Sequence, residues 1–122
     1  MAMIDKDQGQ ICPEIHYQKT EKGILITGCY GMDGGVALPD EIEGIRVNGI
    51  GDYAFAESER DRTGGSMVTE IRLPSQVTEI GRYAFYRCRN LKKLVLTDSL
   101  LEIGGGAFTG CNLSEVELYF QR

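Results

Sequence analysis

The chain offers few side chains that could carry out covalent chemistry. Cys12 and His16 are the one local pairing of a thiol with an imidazole, four residues apart. A thiol nucleophile needs a base that a third group orients, and no such group accompanies this pair. The pairing therefore does not predict an enzyme, and His16 is interpreted as an exposed strand residue.

Four cysteines raise the question of disulfides or a metal site. Cys88 and Cys111 occupy the same place in two similar segments, so their side chains should stack in parallel, whereas a disulfide needs Cβ atoms that face each other. We predict free, buried thiols. Zinc usually takes four Cys, His or carboxylate ligands, and the chain has one His and no Cys-x-x-Cys pair. No metal and no cofactor is predicted.

A glycine pattern at residues 49–54, Gly-Ile-Gly-Asp-Tyr-Ala, fits a loose form of the dinucleotide-binding fingerprint. No βαβ unit of adequate length surrounds it, and the same glycine recurs in two later segments. We interpret the pattern as the corner of a repeating coil, and we interpret the glycine triplet at residues 104–106 in the same way.

A basic stretch lies between Gly81 and Thr97, where no acidic residue occurs. Nucleic-acid binders usually carry a general basic charge, but this chain has a net charge of −5. We therefore predict no nucleic-acid partner. The stretch is interpreted as a solvated face, with contact to an acidic protein or a polyanionic surface as the alternative. Its basic residues are Arg82, Arg87, Arg89, Lys92 and Lys93.

The elements that hold these residues are repeats. Residues 70–91 and 93–113 are nearly the same sequence, with matching positions 23 residues apart. Leucine-rich repeats have periods of about 20–29 residues, so the pattern predicts a solenoid. The matched pairs are Ile71/Leu94, Leu73/Leu96, Val77/Leu100, Ile80/Ile103, Gly81/Gly104, Ala84/Ala107, Phe85/Phe108 and Cys88/Cys111.

Each repeat is predicted to contain a strand at 71–73, a turn at Pro74-Ser75, a second extended piece at 77–80 and one or two helical turns at 82–88. The helical turns are expected because Ala84, Phe85 and Cys88 have the spacing of a helical face. The predicted fold class is α/β: a short right-handed leucine-rich-repeat solenoid, rich in β-structure, with short helical turns and an N-terminal β-hairpin cap.

The predicted organisation is a flexible N-terminus at 1–12 and a single leucine-rich-repeat domain at 13–122. The domain divides into a cap at 13–35, an irregular first coil with a loop at 36–66, a second coil at 67–91, a third at 92–113 and the strand of a fourth at 114–122. The loop is placed at 57–66, since Ile50 and Ile80 lie 30 residues apart and this polar stretch holds the surplus.

Composition excludes some classes of protein. With 42% hydrophobic and 25% charged residues, the chain is an ordinary soluble globular sequence. Its longest aliphatic run, Ile24–Ile26, falls far short of the roughly 20 apolar residues of a membrane span, so no membrane insertion is predicted. The N-terminus lacks a secretory signal, so we expect a cytoplasmic protein if the chain is complete.

The motif Ile80-Gly-x-x-Ala-Phe-x-x-Cys88 recurs from Ile103 to Cys111 and, without its cysteine, from Ile50 to Phe55. It resembles the BspA-type (Treponema pallidum type) leucine-rich repeat, and the resemblance covers roughly residues 15–118. The resemblance implies a bacterial protein that serves in adhesion or protein binding, not catalysis. It also implies display at the cell surface or secretion as part of a longer chain.

The outward residues of the repeat strands are expected to align in two columns, Glu70 with Lys93 and Glu115, and Arg72 with Val95 and Glu117. One hypothesis is that these residues and Tyr119 form a face that binds a protein partner, possibly a host or cell-surface protein. The alternative is a self-satisfied ladder that sets the register, since opposite charges on neighbouring strands contribute about 0.2–1 kcal/mol per pair.

A second functional hypothesis concerns the C-terminal coil. Val116 and Leu118 begin a coil that nothing in the sequence covers. The chain could therefore be a structural or self-associating solenoid unit that joins through this coil.

Phe55, Phe85 and Phe108 hold the same place in three coils, so we predict that their rings stack in the core. Tyr53, Tyr83 and Tyr86, next to these phenylalanines, are expected to be partly buried, with a stacking platform for sugars or peptides as the alternative.

Overall fold

The computed structural model describes residues 4–5, 9–11, 14–31, 33–56 and 67–119. These residues form twelve strands and no α-helix. The strands are β1 (Ile4–Asp5), β2 (Gly9–Ile11), β3 (Glu14–Lys19), β4 (Ile24–Tyr30), β5 (Gly34–Ala37), β6 (Glu41–Ile42), β7 (Ile45–Ile50), β8 (Val68–Arg72), β9 (Glu79–Ile80), β10 (Lys93–Thr97), β11 (Glu102–Ile103) and β12 (Glu115–Tyr119).

The first sheet has the strand order β1-β2-β5-β8-β10-β12. From β2 to β12 every neighbouring pair is parallel, and β1 is antiparallel to β2. From β5 to β12, successive strands of this sheet come from successive coils, so the chain makes a full coil between them. This is the arrangement that a solenoid requires.

The second sheet has the order β11-β9-β7-β4-β3. Its strands are parallel from β11 to β4, and β3 is antiparallel to β4. The short strand β6 pairs with β7 in an antiparallel hairpin outside this order. The β3–β4 pair is the hairpin that the sequence places near the N-terminus, and its role as a cap stays a prediction.

Apolar side chains from both sheets and from the turns between them form one core. Phe55 and Phe85 are fully buried, and the Phe55 and Phe85 rings stack with centroids 5.0 Å apart. Phe108 continues the stack at 5.2 Å from Phe85. Burial of such rings, repeated once per coil, supplies a large part of the driving force for folding.

The expected helical turns at 82–88 are wrong. Here amides alternate between two acceptors: Ala84 N donates to Gly81 O within its own coil, whereas Phe85 N donates to Ala107 O of the next coil. An α-helix cannot form this pattern, because all its N–H groups bond along the helix axis. Tyr83 and Arg87 also have positive φ angles of 53° and 60°, which interrupt helical backbone. The segment is a series of hydrogen-bonded turns.

Neighbouring coils are in close contact at Gly81 and Gly104, the glycines that follow β9 and β11. A Cβ on Gly81 would lie 2.5 Å from Asp52 N, and one on Gly104 would lie 2.5 Å from Arg82 N. These distances are too short for any side chain, so the recurring glycines are required for coil stacking. The interpretation of this glycine as a coil corner agrees with the structure.

The structure differs from expectation near the N-terminus. Residues 1–12 were expected to lack regular structure, but β1 and β2 lie there and β2 pairs with β5. Backbone hydrogen bonding along the edge of a parallel sheet depends little on side-chain pattern, so no periodic signal marks these strands. The predicted loop at 57–66 lies outside the described residues.

Candidate functional site

The predicted columns of the strand face are present. Glu70 pairs in register with Lys93, which pairs with Glu115. Arg72 likewise aligns with Val95, which aligns with Glu117. We call the following residues of β8, β10 and β12 the strand face: Glu70, Arg72, Lys93, Val95, Glu115, Glu117 and Tyr119.

Lys93 is the electrostatic centre of the strand face. Its Nζ lies 3.1 Å from Glu117 Oε2 and 3.5 Å from Glu115 Oε2. The hydrogen bond to Glu117, followed in size by the charge of Glu70, raises the pKa of the Lys93 ammonium. The ladder expected from the sequence is therefore formed between β10 and β12, and it also crosses diagonally between the two columns.

Val95 does not fit the predicted binding face. Val95 is 3% exposed and lies between Arg72 and Glu117 in the register. It therefore offers no contact surface for a partner. Tyr119 is the last described strand residue and is opposite Thr97 in the register.

Large apolar side chains are exposed where the two sheets end, at β11 and β12. The most exposed is Leu101 at 83%, which precedes β11. Both β11 and β12 are edge strands, so each has one unpaired backbone edge within the described part of the chain. The other exposed side chains in this group are Val116 at 60%, Ile103 at 54% and Leu118 at 47%.

The tyrosines beside the core form a ladder of ring contacts. The Tyr53 and Tyr83 rings are stacked with centroids 5.3 Å apart, and Tyr86 meets Tyr83 edge-on at 5.7 Å. The expected partial burial is present at Tyr86, which is half-buried, and at Tyr83, which is 38% exposed. Tyr53 is 58% exposed, so its ring is more accessible than the sequence pattern predicts.

The thiols of the repeats are free as predicted, but only Cys88 is buried, whereas Cys111 is partly exposed. Cys88 and Cys111 are free, and each Sγ lies within hydrogen-bonding distance of a phenylalanine carbonyl of the preceding coil, at 3.2 Å and 3.0 Å. They serve as small side chains that link adjacent coils. Cys12 lies outside the described residues, while His16 is exposed on β3 and bonds Glu14 at 2.7 Å.

One polar cluster had no signal in the sequence. Glu43, in the turn between β6 and β7, accepts hydrogen bonds from Tyr17 Oη and, at 2.8 Å, from Lys19 Nζ on β3. The bond from Lys19, and then that from Tyr17, lowers the pKa of the Glu43 carboxyl. The partners are more than twenty positions apart in sequence, so only the fold brings them together.

Among the residues with described positions, no group of three or more His, Cys, Asp or Glu side chains could hold a metal ion. Within the same part of the chain, no helix has the length and apolar character needed to cross a bilayer.

The repeats of this chain match a known protein family. Residues 50–121, more than half of the chain, match the model of the BspA type leucine rich repeat region (6 copies). The chain belongs to the BspA-type leucine-rich-repeat family. The family suggests a protein-interaction module, and leucine-rich-repeat domains are generally non-enzymatic scaffolds.

A solved structure supports the fold of this BspA-type chain. The crystal structure of the T. pallidum leucine rich repeat protein is similar with a TM-score of 0.54 and 21% sequence identity. The similarity covers 88% of this chain and 80% of that one. At this identity the likeness shows the fold alone, and a comparison with curated proteins gives no match.

Proposed function

We propose that this chain is a non-enzymatic binding module that engages a partner protein through the strand face. The observation that carries the proposal is the unequal charge on β12. Glu115 and Glu117 are 60% and 53% exposed, and both lie against the single ammonium of Lys93. With Glu70, these carboxylates outnumber Arg72 and Lys93, the two basic residues of the strand face. Negative charge is therefore in excess on an exposed, regular surface, which favours a partner with a basic surface.

Adhesion and a surface location belong to the same proposal. Family membership supports a role in protein interaction, and the resemblance of the repeats to bacterial surface proteins supports a partner on a host or on another cell. The extended faces of solenoids suit such contacts because neighbouring repeats present equivalent positions at regular spacing.

The experiment compares two charge reversals in capture assays with extracts of host and bacterial surface proteins. Glu117→Lys alters the strand face, whereas Glu41→Lys makes the same charge change at an exposed position on β6, outside both sheets. We expect Glu117→Lys to reduce capture at least tenfold and Glu41→Lys to leave it unchanged, with similar thermal unfolding of both variants. Capture that survives Glu117→Lys would place the binding site elsewhere and contradict the proposal.

Self-association is a second candidate function, favoured by the apolar surface at β11 and β12. Leu101, Ile103, Val116 and Leu118 are each about half exposed or more and lie at the edge strands of the two sheets, and exposed apolar surface can mark interaction sites. Sedimentation across a concentration series should show a dimer that Leu118→Lys abolishes. A wild-type chain that stays monomeric at high concentration would remove this candidate.

A further inference from the structure

A cleft of about 350 Å³ lies where the turn between β3 and β4 meets β7 and β9. This volume is within the range of sites that hold small ligands or single side chains. The cleft belongs to the second sheet, so it is separate from the strand face. Its walls are formed by Thr20, Glu21, Lys22, Leu25, Asn48 and Glu79.

Asn48 is an unusual residue for this position. It is only 5% exposed, yet its side-chain amide makes no hydrogen bond with the described chain, although its backbone carbonyl accepts from Thr78 N at 2.9 Å. Nearly all buried polar groups in folded proteins are hydrogen-bonded. An unpartnered amide that lines a cleft is therefore a group with unused binding capacity.

A β-bulge explains how Asn48 reaches the cleft. Ile24 of β4 is opposite Val47, but the next residue, Leu25, is opposite Gly49, so Asn48 is the extra residue on β7. Bulges redirect a side chain and recur beside functional sites. Asn48 Oδ1 lies 3.0 Å from the position that a Cβ on Gly23 would occupy, so a side chain there would crowd the amide.

Glu79 borders the same cleft from the other side. Leu25, Gly49, Glu79 and Glu102 lie side by side in the second sheet. Gly49 leaves a gap in this row: a Cβ there would be 2.9 Å from Leu25 Cδ1 and 3.2 Å from Glu79 Oε1. An apolar methyl and a carboxylate oxygen therefore face one vacant position.

The charges around the cleft favour a cation. The half-buried Glu79 carboxylate makes no ion pair or hydrogen bond with the described residues, and Glu102 lies beside it on β11. Like charges on neighbouring strands are destabilising. A second cleft of about 260 Å³ shares Leu25 and Glu79 and adds Asp52, whereas Lys22 is the one basic residue that lines either cleft.

A ligand for this site needs N–H donors for Asn48 Oδ1 and Glu79, a positive charge, and an aliphatic stem for Leu25. An arginine side chain combines these features, since its planar guanidinium carries five donors and its methylene stem packs on apolar surface. We infer that this cleft binds an arginine side chain, with the guanidinium between Asn48 and Glu79. The inference does not depend on the proposed strand face.

The test uses the full chain and two small probes, Nα-acetyl-arginine N-methylamide and its neutral citrulline analogue. Nuclear magnetic resonance titration should show saturable shifts at Asn48 and Leu25 with the arginine probe, and binding at least tenfold weaker with the citrulline probe. Equal binding of the two probes, or no saturable shift with the arginine probe, would overturn the inference.

Variants test the two polar groups. Glu79→Gln should weaken binding of the arginine probe at least tenfold, whereas Asp98→Asn, an equal loss of charge at an exposed turn after β10, should leave it unchanged. Asn48→Leu should abolish binding without lowering the melting temperature, because it replaces an unpartnered amide by an apolar side chain. Full affinity in Glu79→Gln or Asn48→Leu would overturn the assignment.

A third arm identifies the source of the side chain. The pentapeptide acetyl-Ala-Ala-Arg-Ala-Ala-amide should compete with the arginine probe at the same resonances. Tighter binding of the peptide indicates a protein partner, and equal affinity indicates a free guanidinium ligand. Both results support the chemistry of the site, while a peptide that fails to displace the probe contradicts it.

Discussion

The rings of Phe85 and Phe108 lie parallel, with an interplanar angle of 3° and centroids 5.2 Å apart. Phe55 stacks on the opposite side of Phe85 at 5.0 Å and 9°. Phe85 is therefore enclosed between two rings of neighbouring coils and has no solvent exposure.

Phe85→Ala should lower the free energy of unfolding by about 3–5 kcal/mol, the usual cost of a cavity left by a buried aromatic ring. Urea unfolding followed by circular dichroism measures this difference. The matched change Tyr53→Ala removes a ring that is 58% exposed, and it should cost no more than about 1.5 kcal/mol, the value of an aromatic pair. Similar losses in the two variants would contradict the assignment of the core.

Adjacent glycines provide a matched test of coil contact. A Cβ on Gly104 would lie 2.5 Å from Arg82 N, but one on Gly105 would meet no atom within 4 Å. Gly104→Ala should destabilise the chain by about 1–3 kcal/mol, as overpacking does, and Gly105→Ala should change stability by less than about 0.5 kcal/mol. Thermal unfolding compares them, and a tolerated Gly104→Ala would exclude the close contact between coils.

The hydrogen bonds of Glu43 with Tyr17 and Lys19 should make the free energy of unfolding depend on pH in the acidic range. Because Lys19 and Tyr17 lower the pKa of Glu43 below its ordinary value of 4.5, the folded chain favours the ionised carboxylate. Its contribution is then present above pH 4.5 and is lost as the pH falls through the lower folded-state pKa. The difference in unfolding free energy between wild type and Glu43→Gln should shrink over this range.

A double-mutant cycle gives the control for that prediction. In a Lys19→Met background the largest cause of the Glu43 shift is absent, so Glu43→Gln should have a smaller, less pH-dependent effect. An unchanged pH dependence in this background would show that Lys19 does not hold the carboxylate.

The ion pairs of Lys93 should make the free energy of unfolding decrease as the pH rises, the opposite of the effect of Glu43. Glu117 and the neighbouring Glu70 raise the pKa of Lys93 above its ordinary value of 10.5, so the folded chain holds this proton more tightly. The resulting stability is complete below pH 10.5 and is lost as the pH rises through the folded-state pKa. Wild type and Lys93→Met should therefore differ in unfolding free energy at pH 9 and converge at higher pH. A constant difference would mean that the ion pairs contribute nothing.

Much of the repeat could be predicted from the sequence, because a regular period dictates which residues of successive coils become neighbours. The columns from Glu70 and Arg72 and the stack of Phe55, Phe85 and Phe108 follow from spacing alone. The helical turns could not be excluded in this way. The spacing of Ala84, Phe85 and Cys88 suits a helical face, but the positive φ of Tyr83 and the hydrogen bonds to the next coil form only once the coils stack.

One candidate site could be predicted from the sequence and the other could not. The strand face could be predicted because its residues recur at the repeat period, although the burial of Val95 could not be read from that period. The cleft lined by Asn48 and Glu79 had no signal in the sequence, since a one-residue bulge between β4 and β7 decides where the Asn48 amide points. A single inserted residue changes no composition or motif.

The sequence by itself determined the family, the parallel register of the repeats and the residues that stack in the core, because these follow from apolar side chains that recur at a constant interval. The tertiary structure decided the turn geometry, the exposure of Tyr53, the Glu43 cluster and the surroundings of Asn48. These features depend on backbone contacts and on pairs of residues far apart in the chain, which no local pattern encodes.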